Sequence, residues 1–132
     1  MDIGTTNESG TPPNGRPSGA RSTEEVFKRH LELRKYGDLE TDIAENYSRD
    51  VVILCCTGVR RGHDGVRDSA AELEHYLPNA EFEYNVQHSE SEFAFLAWTG
   101  KSETGEVHDG ADSFVIRDGK IVAQTIHYNV KS

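Results

Sequence analysis

The segment DSFVIRDGKI, residues 112–121, is the part of the sequence that decides the fold. Phe114, Val115 and Ile116 form a short apolar run that ends at Arg117, which is typical of a strand. Asp118-Gly119 follows and is a strong signal for a tight hairpin turn. We therefore predict two neighbouring antiparallel strands, Glu106–Arg117 and Lys120–Val130.

Asp112 is the unusual residue of this hairpin. Side chains two positions apart on a strand share a face, so Asp112 is predicted to lie beside Phe114 and Ile116, with His108 and Gly110 earlier on the same face. A buried carboxylate costs free energy unless it is paired, protonated or next to a wet cavity. Asp112 is therefore a candidate pocket residue; the alternative is a structural aspartate bonded to a backbone amide or a neighbouring histidine.

Three helices and four further strands are predicted before the hairpin. Ser22-Thr23-Glu24-Glu25 predicts a capping box that begins a helix ending near Tyr36, and Asp38 and Asp64 are expected to cap two further helices. The buried face of the first helix is predicted to contain Val26, Phe27, His30, Leu31 and Leu33. Further strands are predicted at Val51–Cys56, Val59–Arg61, Glu81–His88 and Glu92–Thr99. This order predicts an α+β fold in which a curved, mixed or antiparallel sheet wraps around three helices and leaves an internal pocket.

Composition limits the partners and the compartment. Residues 1–22 are rich in Gly, Pro, Ser, Thr and Asn, which predicts a flexible tail before one folded domain at residues 23–132. The net charge of -9 disfavours nucleic acid as a partner, and no stretch is apolar enough to span a membrane. The tail has no apolar core of a secretory signal.

The two cysteines, Cys55 and Cys56, are adjacent in the sequence. Neighbouring cysteines rarely satisfy disulfide geometry with each other, so we expect a reducing compartment, the cytoplasm. None of the six histidines has zinc-ligand spacing to this pair, and no metal site is predicted.

Four short motifs together resemble the SnoaL-like branch of the nuclear transport factor 2-like superfamily. They are residues 36–40 (YGDLE), 47–52 (YSRDVV), 62–67 (GHDGVR) and 112–121. The superfamily includes ketosteroid isomerases, polyketide cyclases, dehydratases, epoxide hydrolases and non-catalytic binding domains. The resemblance implies a cone-shaped domain with a pocket between sheet and helices, and a homodimer formed through the outer face of the sheet.

The resemblance to ketosteroid isomerases also implies roles for single residues. Asp112 occupies the position of their oxyanion-hole acid, a carboxyl kept protonated by an apolar site; that enzyme is a known example of such tuning. His30 occupies the position of their oxyanion-hole tyrosine and is the predicted partner of Asp112, with a satisfied core histidine as the alternative. Cys55 stands where they carry an aspartate base, which argues against steroid isomerisation, and its simplest interpretation is a small buried hydrophobe.

Other residues are candidates for contact with a substrate. Gln124 is predicted to face inward and to orient a ligand, and Tyr128 shares its face. Phe114, Trp98 and His108 complete the set, together with Cys55; ordinary core or dimer packing is the alternative for Trp98 and Tyr128.

The predicted function is binding of a small, partly apolar organic molecule. Acid–base catalysis by Asp112 and His30, without a cofactor, is the main hypothesis, and the reaction is an isomerisation, cyclisation, dehydration or hydrolysis. A non-catalytic ligand-binding or dimerisation module of the same fold is the alternative.

Overall fold

The computed structural model describes residues 20–132. It contains three helices, α1 (Thr23–Lys35), α2 (Leu39–Asn46) and α3 (Gly62–Tyr76). Seven strands accompany them: β1 (Tyr47–Cys55), β2 (Gly58–Arg61), β3 (Glu81–Glu90), β4 (Phe93–Lys101), β5 (Glu106–Arg117), β6 (Lys120–His127) and β7 (Val130–Lys131). The predicted α+β fold is confirmed. No helix in the described range is long and apolar enough to cross a membrane.

All seven strands belong to one mixed sheet. Its main order is β2-β1-β6-β5-β4-β3, and β7 pairs with β5. Strands β1 and β6 run parallel, whereas the other pairs are antiparallel. The helices cover the inner face, where Phe27 of α1 meets Phe114 of β5 with ring centroids 5.3 Å apart.

The local signals for α1 and α2 are confirmed. Ser22 accepts a hydrogen bond from the Glu25 backbone and the Glu25 side chain accepts one from Ser22, which completes the capping box. The buried residues of α1 are the five that the helical spacing predicts. Asp38 caps α2 through the backbone N–H of Thr41.

Three predicted boundaries are wrong by three residues or more. The predicted strand Lys120–Val130 ends at His127 as β6, and Val130–Lys131 forms the separate strand β7, which pairs with β5. Helix α3 begins at Gly62 after Arg61, so Asp64 lies inside its first turn, where it pairs with Arg67 instead of capping the helix. Strand β1 begins at Tyr47, four residues before the predicted start, because the chain passes from α2 into the sheet without a turn.

Residues 1–19 of the predicted tail lie outside the described range. Arg21, which the composition assigns to the tail, donates hydrogen bonds to the Asn46 side chain and to the carbonyls of Glu45 and Gly119. Ser22 caps α1, so the ordered contacts begin before residue 23.

Besides the register shift between Tyr47 and Val52 where β1 pairs with β6, three irregularities in the strand register reverse the alternation of side chains and bend the sheet. They lie between Tyr84 and Val86 in β3, between Val107 and Gly110 in β5, and between Ile121 and Ala123 in β6. The bulge in β3 turns Val86 to the outer face, although simple alternation predicts that it shares the inner face of Tyr84. Bulges cannot be read from period-two patterning alone.

Candidate active site

A cavity of about 90 Å³ lies between the helices and the concave face of the sheet. We call it the inner cavity. Its polar lining includes His30, Arg34, Tyr47, Asp112 and Gln124. One buried water needs about 10–15 Å³, so the space holds several waters or part of a compact organic molecule.

Asp112 is buried on β5 and lines the inner cavity. Trp98 Nε1 donates to its Oδ1 at 3.0 Å, and Gln124 Nε2 donates to its Oδ2 at 2.9 Å. Burial raises the pKa of the Asp112 carboxyl, although these two hydrogen bonds favour the charged form and act against that shift. The partners are side chains, and neither the backbone amide nor the histidine of the structural alternative is among them.

Gln124 on β6 connects Asp112 on β5 to Tyr47 at the start of β1. The Tyr47 hydroxyl donates to Gln124 Oε1 at 2.5 Å, while the Gln124 amide nitrogen donates to Asp112. Burial raises the pKa of Tyr47 well above its usual value, so its hydroxyl keeps its proton and remains a donor. The chain Tyr47–Gln124–Asp112 therefore has a fixed direction of donation.

His30 lies on α1 and also lines the inner cavity. Its Nδ1 is 2.8 Å from Asp42 Oδ2, and both side chains are almost completely buried. The imidazole edge packs against Tyr47 and Phe114, with ring centroids at 5.7 and 5.2 Å. Within residues 20–132, no hydrogen bond occupies its other nitrogen, Nε2.

Asp42 is a functional candidate that sequence reasoning missed. It is fully buried on α2 and also accepts a hydrogen bond from Asn46 Nδ2 at 2.8 Å, and Asn46 in turn accepts from Arg21. The available signal was the spacing of Asp42 and Asn46, one helical turn apart beside the apolar Ile43. Such a polar pair on a buried helix face indicates an internal network.

Of four other predicted site residues, three line the inner cavity and one lies in the core beside it. Gln124, Trp98 and Tyr128 line the inner cavity, and the Trp98 and Tyr128 rings lie 5.7 Å apart. Phe114 is buried in the core, where it supports the His30 ring without lining the inner cavity.

His108 does not share the face of Asp112, and that sequence-based placement is wrong. Trp98 pairs with Gly110 and Gly100 pairs with Val107, so β5 contains one extra residue in this interval. Val107 and Gly110 are buried, whereas His108 is exposed and pairs with Glu106 at 2.8 Å. The bulge therefore places the His108 side chain on the opposite face of the sheet from the one that alternation predicts.

Cys55 also lies away from the inner cavity. It is half-buried at the end of β1, beside a separate groove of about 230 Å³, and its thiol contacts Thr57 Oγ1 at 3.3 Å. Ile126 and Tyr128 separate this groove from the inner cavity, since they line both. Cys55 is therefore neither the buried hydrophobe nor the cavity group that its position in the sequence predicts.

No group of three or more His, Cys, Asp or Glu side chains within residues 20–132 is arranged to hold a metal ion. Two side chains that line the inner cavity, His30 and Asp112, are able to take part in proton transfer. His30, which the buried Asp42 carboxylate orients, lies on the helical side of the cavity. Asp112, whose pKa is raised, lies on the sheet side.

Solved structures with the same fold include proteins from several sources. A proposed SnoaL-like polyketide cyclase from Mesorhizobium loti is 17% identical, covers 82% of this chain and 100% of its own, and superposes with a TM-score of 0.64. A loop-truncation variant of IdmH is 17% identical over 81% of this chain and 92% of its own, with a TM-score of 0.68. TerC, co-crystallised with polyporic acid, is 16% identical over 81% and 91%, with a TM-score of 0.66.

These superpositions establish a shared fold. The sequence matches none of the curated proteins. The family model described as SnoaL-like domain matches residues 27–124, which extend from within α1 to within β6 and include every element between them. The chain therefore belongs to the SnoaL-like family, as the four sequence motifs predict.

Proposed function

We propose that this protein is a cofactor-independent acid–base enzyme acting on a small, partly apolar organic molecule. The observation that carries the proposal is that His30 and Asp112, from the helical and sheet walls, line one cavity. The reaction class is the one predicted from the sequence: isomerisation, cyclisation, dehydration or hydrolysis. Proton transfer by positioned side chains is the step that these four reactions share.

His30 is the proposed base. Because the Asp42 carboxylate accepts at Nδ1, the neutral imidazole carries its proton there and presents a lone pair at Nε2. Asp42 is a positioning residue in this proposal, since it fixes the tautomer and the orientation of the ring. The edge contacts with Tyr47 and Phe114 limit rotation of the imidazole further.

Asp112 is the proposed acid. Its raised pKa favours retention of a proton that can be delivered to a developing oxyanion. Gln124 and Trp98 then stabilise the carboxylate that remains, because both donate to its oxygens. Transfer of an α-proton from the ketone to His30 and of the Asp112 proton to the carbonyl oxygen would convert the ketone into an enol, leaving an imidazolium and a carboxylate. Enolisation is the common first step of isomerisation and aldol-type cyclisation.

Exchange of protons next to a carbonyl tests this step directly. We expect the protein to accelerate incorporation of deuterium into 2-tetralone in D2O, followed by NMR. His30→Gln and Asp112→Asn are each expected to lower the rate by about 100-fold or more. Asp109→Asn is the matched control, because Asp109 lies on the same strand but is exposed and bonded to Asn129.

A wild-type rate equal to that of buffer, or equal rates in all three variants, would contradict the proposed catalysis. Binding of the ketone without exchange would favour the alternative, a ligand-binding module. One observation favours that alternative: the position of the second carboxylate of ketosteroid isomerases carries Cys55, which lies outside the inner cavity.

A homodimer formed through the outer sheet face belongs to the same proposal. Phe93, Phe95 and Leu54 on this face are 57%, 39% and 47% exposed. Phe93 and Phe95 border a groove of about 390 Å³ that is lined by β3, β4, β5 and β6. Exposed aromatic side chains in one patch are typical of protein interfaces.

The cytoplasm is the proposed compartment. Cys55 and Cys56 are both free thiols, which supports a reducing environment. Neither nucleic acid nor a membrane is a proposed partner, given the net charge of -9.

A further inference from the structure

Arg34 is a cation in the inner cavity that the proposed proton transfer does not use. It lies one helical turn after His30 on α1, so the two side chains share a face of the helix. Arg34 is half-buried and lines the cavity together with Tyr84 and Asp112. Arg34 therefore lines the cavity and keeps partial access to solvent.

Arg34 differs from the other half-buried arginines of residues 20–132. Arg29, Arg60 and Arg67 each form an ion pair with a glutamate. Arg21 donates to a side-chain amide and two backbone carbonyls. In this part of the chain, no hydrogen bond or ion pair is made by the Arg34 side chain. A guanidinium group that is partly removed from water normally acquires an acceptor, so the missing partner points to a ligand.

The net negative charge of the protein makes an unpaired arginine in the cavity unexpected. With 23 acidic and 14 basic residues, the chain has many carboxylates that are able to pair with an arginine. The inner cavity nevertheless keeps Arg34 unpaired, while its carboxylate Asp112 is occupied by Trp98 and Gln124. The Arg34 charge also acts to lower the pKa of Tyr84 and Asp112, against the larger opposite effect of burial.

We propose that the ligand of the inner cavity carries a carboxylate and that Arg34 binds this group. The proposal rests on the proposed function and adds the chemical class of its substrate. A guanidinium group offers two parallel N–H donors to the two oxygens of a carboxylate, a geometry that a lysine does not provide. Anchored at Arg34, the apolar remainder of the ligand extends toward His30 and Asp112, past Leu31, Leu39, Tyr84 and Trp98.

A pair of isosteric ligands separates charge from shape. We would titrate the protein with cyclohexanecarboxylate and with cyclohexanecarboxamide and follow the indole N–H signal of Trp98 by 1H–15N NMR. Trp98 is the only tryptophan of the chain, and its N–H contacts Asp112 in the cavity. Wild-type protein is expected to bind the carboxylate about 10- to 100-fold more tightly than the amide.

Three variants test whether Arg34 causes the preference for the carboxylate over the amide. Arg34→Gln should remove it, and Arg34→Lys should leave it reduced because the charge stays but the paired donors are lost. Lys35→Gln is the matched control, since it removes an exposed charge at the next position of the same helix and should leave the preference unchanged. Circular dichroism of each variant establishes that the fold is retained.

The outcomes distinguish this inference from the proposed function. Equal affinity for both ligands in the wild type, or a preference that survives in Arg34→Gln, overturns the carboxylate anchor and leaves a small-molecule pocket intact. No shift of the Trp98 signal with these ligands or with 2-tetralone contradicts both the anchor and the pocket.

Discussion

At the scale of single residues, Asp112 combines burial with two hydrogen bonds that suit a carboxylate. Burial is the larger influence and raises its native pKa above the usual value of 3.8. An acid whose pKa is raised by folding contributes its full stability below the pKa of the unfolded chain. That contribution decreases as the pH rises through the native pKa, because unfolding then releases a proton.

Asp112→Asn should therefore gain stability relative to wild type as the pH rises above about 4. The difference in the free energy of unfolding should increase by about 1.4 kcal/mol for each unit by which the native pKa exceeds the unfolded value. Urea unfolding between pH 3.5 and 8 measures it, with Asp109→Asn as the control. A difference that stays constant with pH, or that changes in the opposite direction, would show that Asp112 is not a buried acid with a raised pKa.

His30, Gln124 and Asp112 were predictable as inward-facing residues because helical spacing and strand alternation are local rules. Asp42 and Arg34 were not, for a different reason. Their importance depends on which side chains other elements place beside them: Asp42 is paired with His30 of α1, and Arg34 has no partner among the described residues. Contacts between residues that are distant in the chain are difficult to predict from a single sequence.

At the scale of elements, Asp42 joins α2 to α1. Its carboxylate accepts from both His30 and Asn46, so Asp42→Ala leaves two buried donors without an acceptor. We expect a loss of about 3 kcal/mol or more in the free energy of unfolding. Glu45→Ala is the control on the same helix, because Glu45 is exposed and its pair with Arg29 is solvated. Equal, small effects in both variants would refute the structural role of Asp42.

Gly110 allows β5 to pass beside the Trp98 indole. A Cβ atom at this position would lie 2.2 Å from two carbons of the indole, which forces the ring to move. Gly110→Ala should therefore destabilise the protein by about 1–3 kcal/mol and shift the Trp98 fluorescence. Ser113→Ala, on the exposed face of the same strand, should change neither. Unchanged fluorescence in Gly110→Ala would contradict this packing of Trp98 against β5.

The bulge beside Gly110 also explains why His108 was misplaced. Alternation along β5 is regular from Asp112 to Arg117, where the prediction is correct, and fails only across the extra residue. Bulges in β3 and β6 have the same effect on Val86 and the residues near Ala123. Curvature comes from these bulges, so the feature that encloses the cavity is the one that alternation cannot predict.

At the scale of the whole molecule, the two faces of the sheet have separate proposed roles. If the outer face forms a homodimer, Phe95→Asp should convert a dimer into a monomer in sedimentation velocity experiments, because a charge would be buried at the interface. The Trp98 signal should persist, since Trp98 lies on the inner face. Asp109→Asn serves as the control. A monomeric wild type at about 100 µM would contradict the homodimer proposal, as that concentration exceeds the dissociation constants of typical specific interfaces.

The central claim is that His30 and Asp112 act on one small molecule in the inner cavity. A crystal structure of the protein with bound 2-tetralone tests it most directly. The account predicts the ketone inside the inner cavity, with its oxygen about 2.6–3.2 Å from Asp112 or an ordered water bonded to it, and its acidic carbon facing His30 Nε2. A ketone bound instead in the outer groove beside Phe93 and Phe95, or in the groove beside Cys55, with the inner cavity holding only water, would contradict the account.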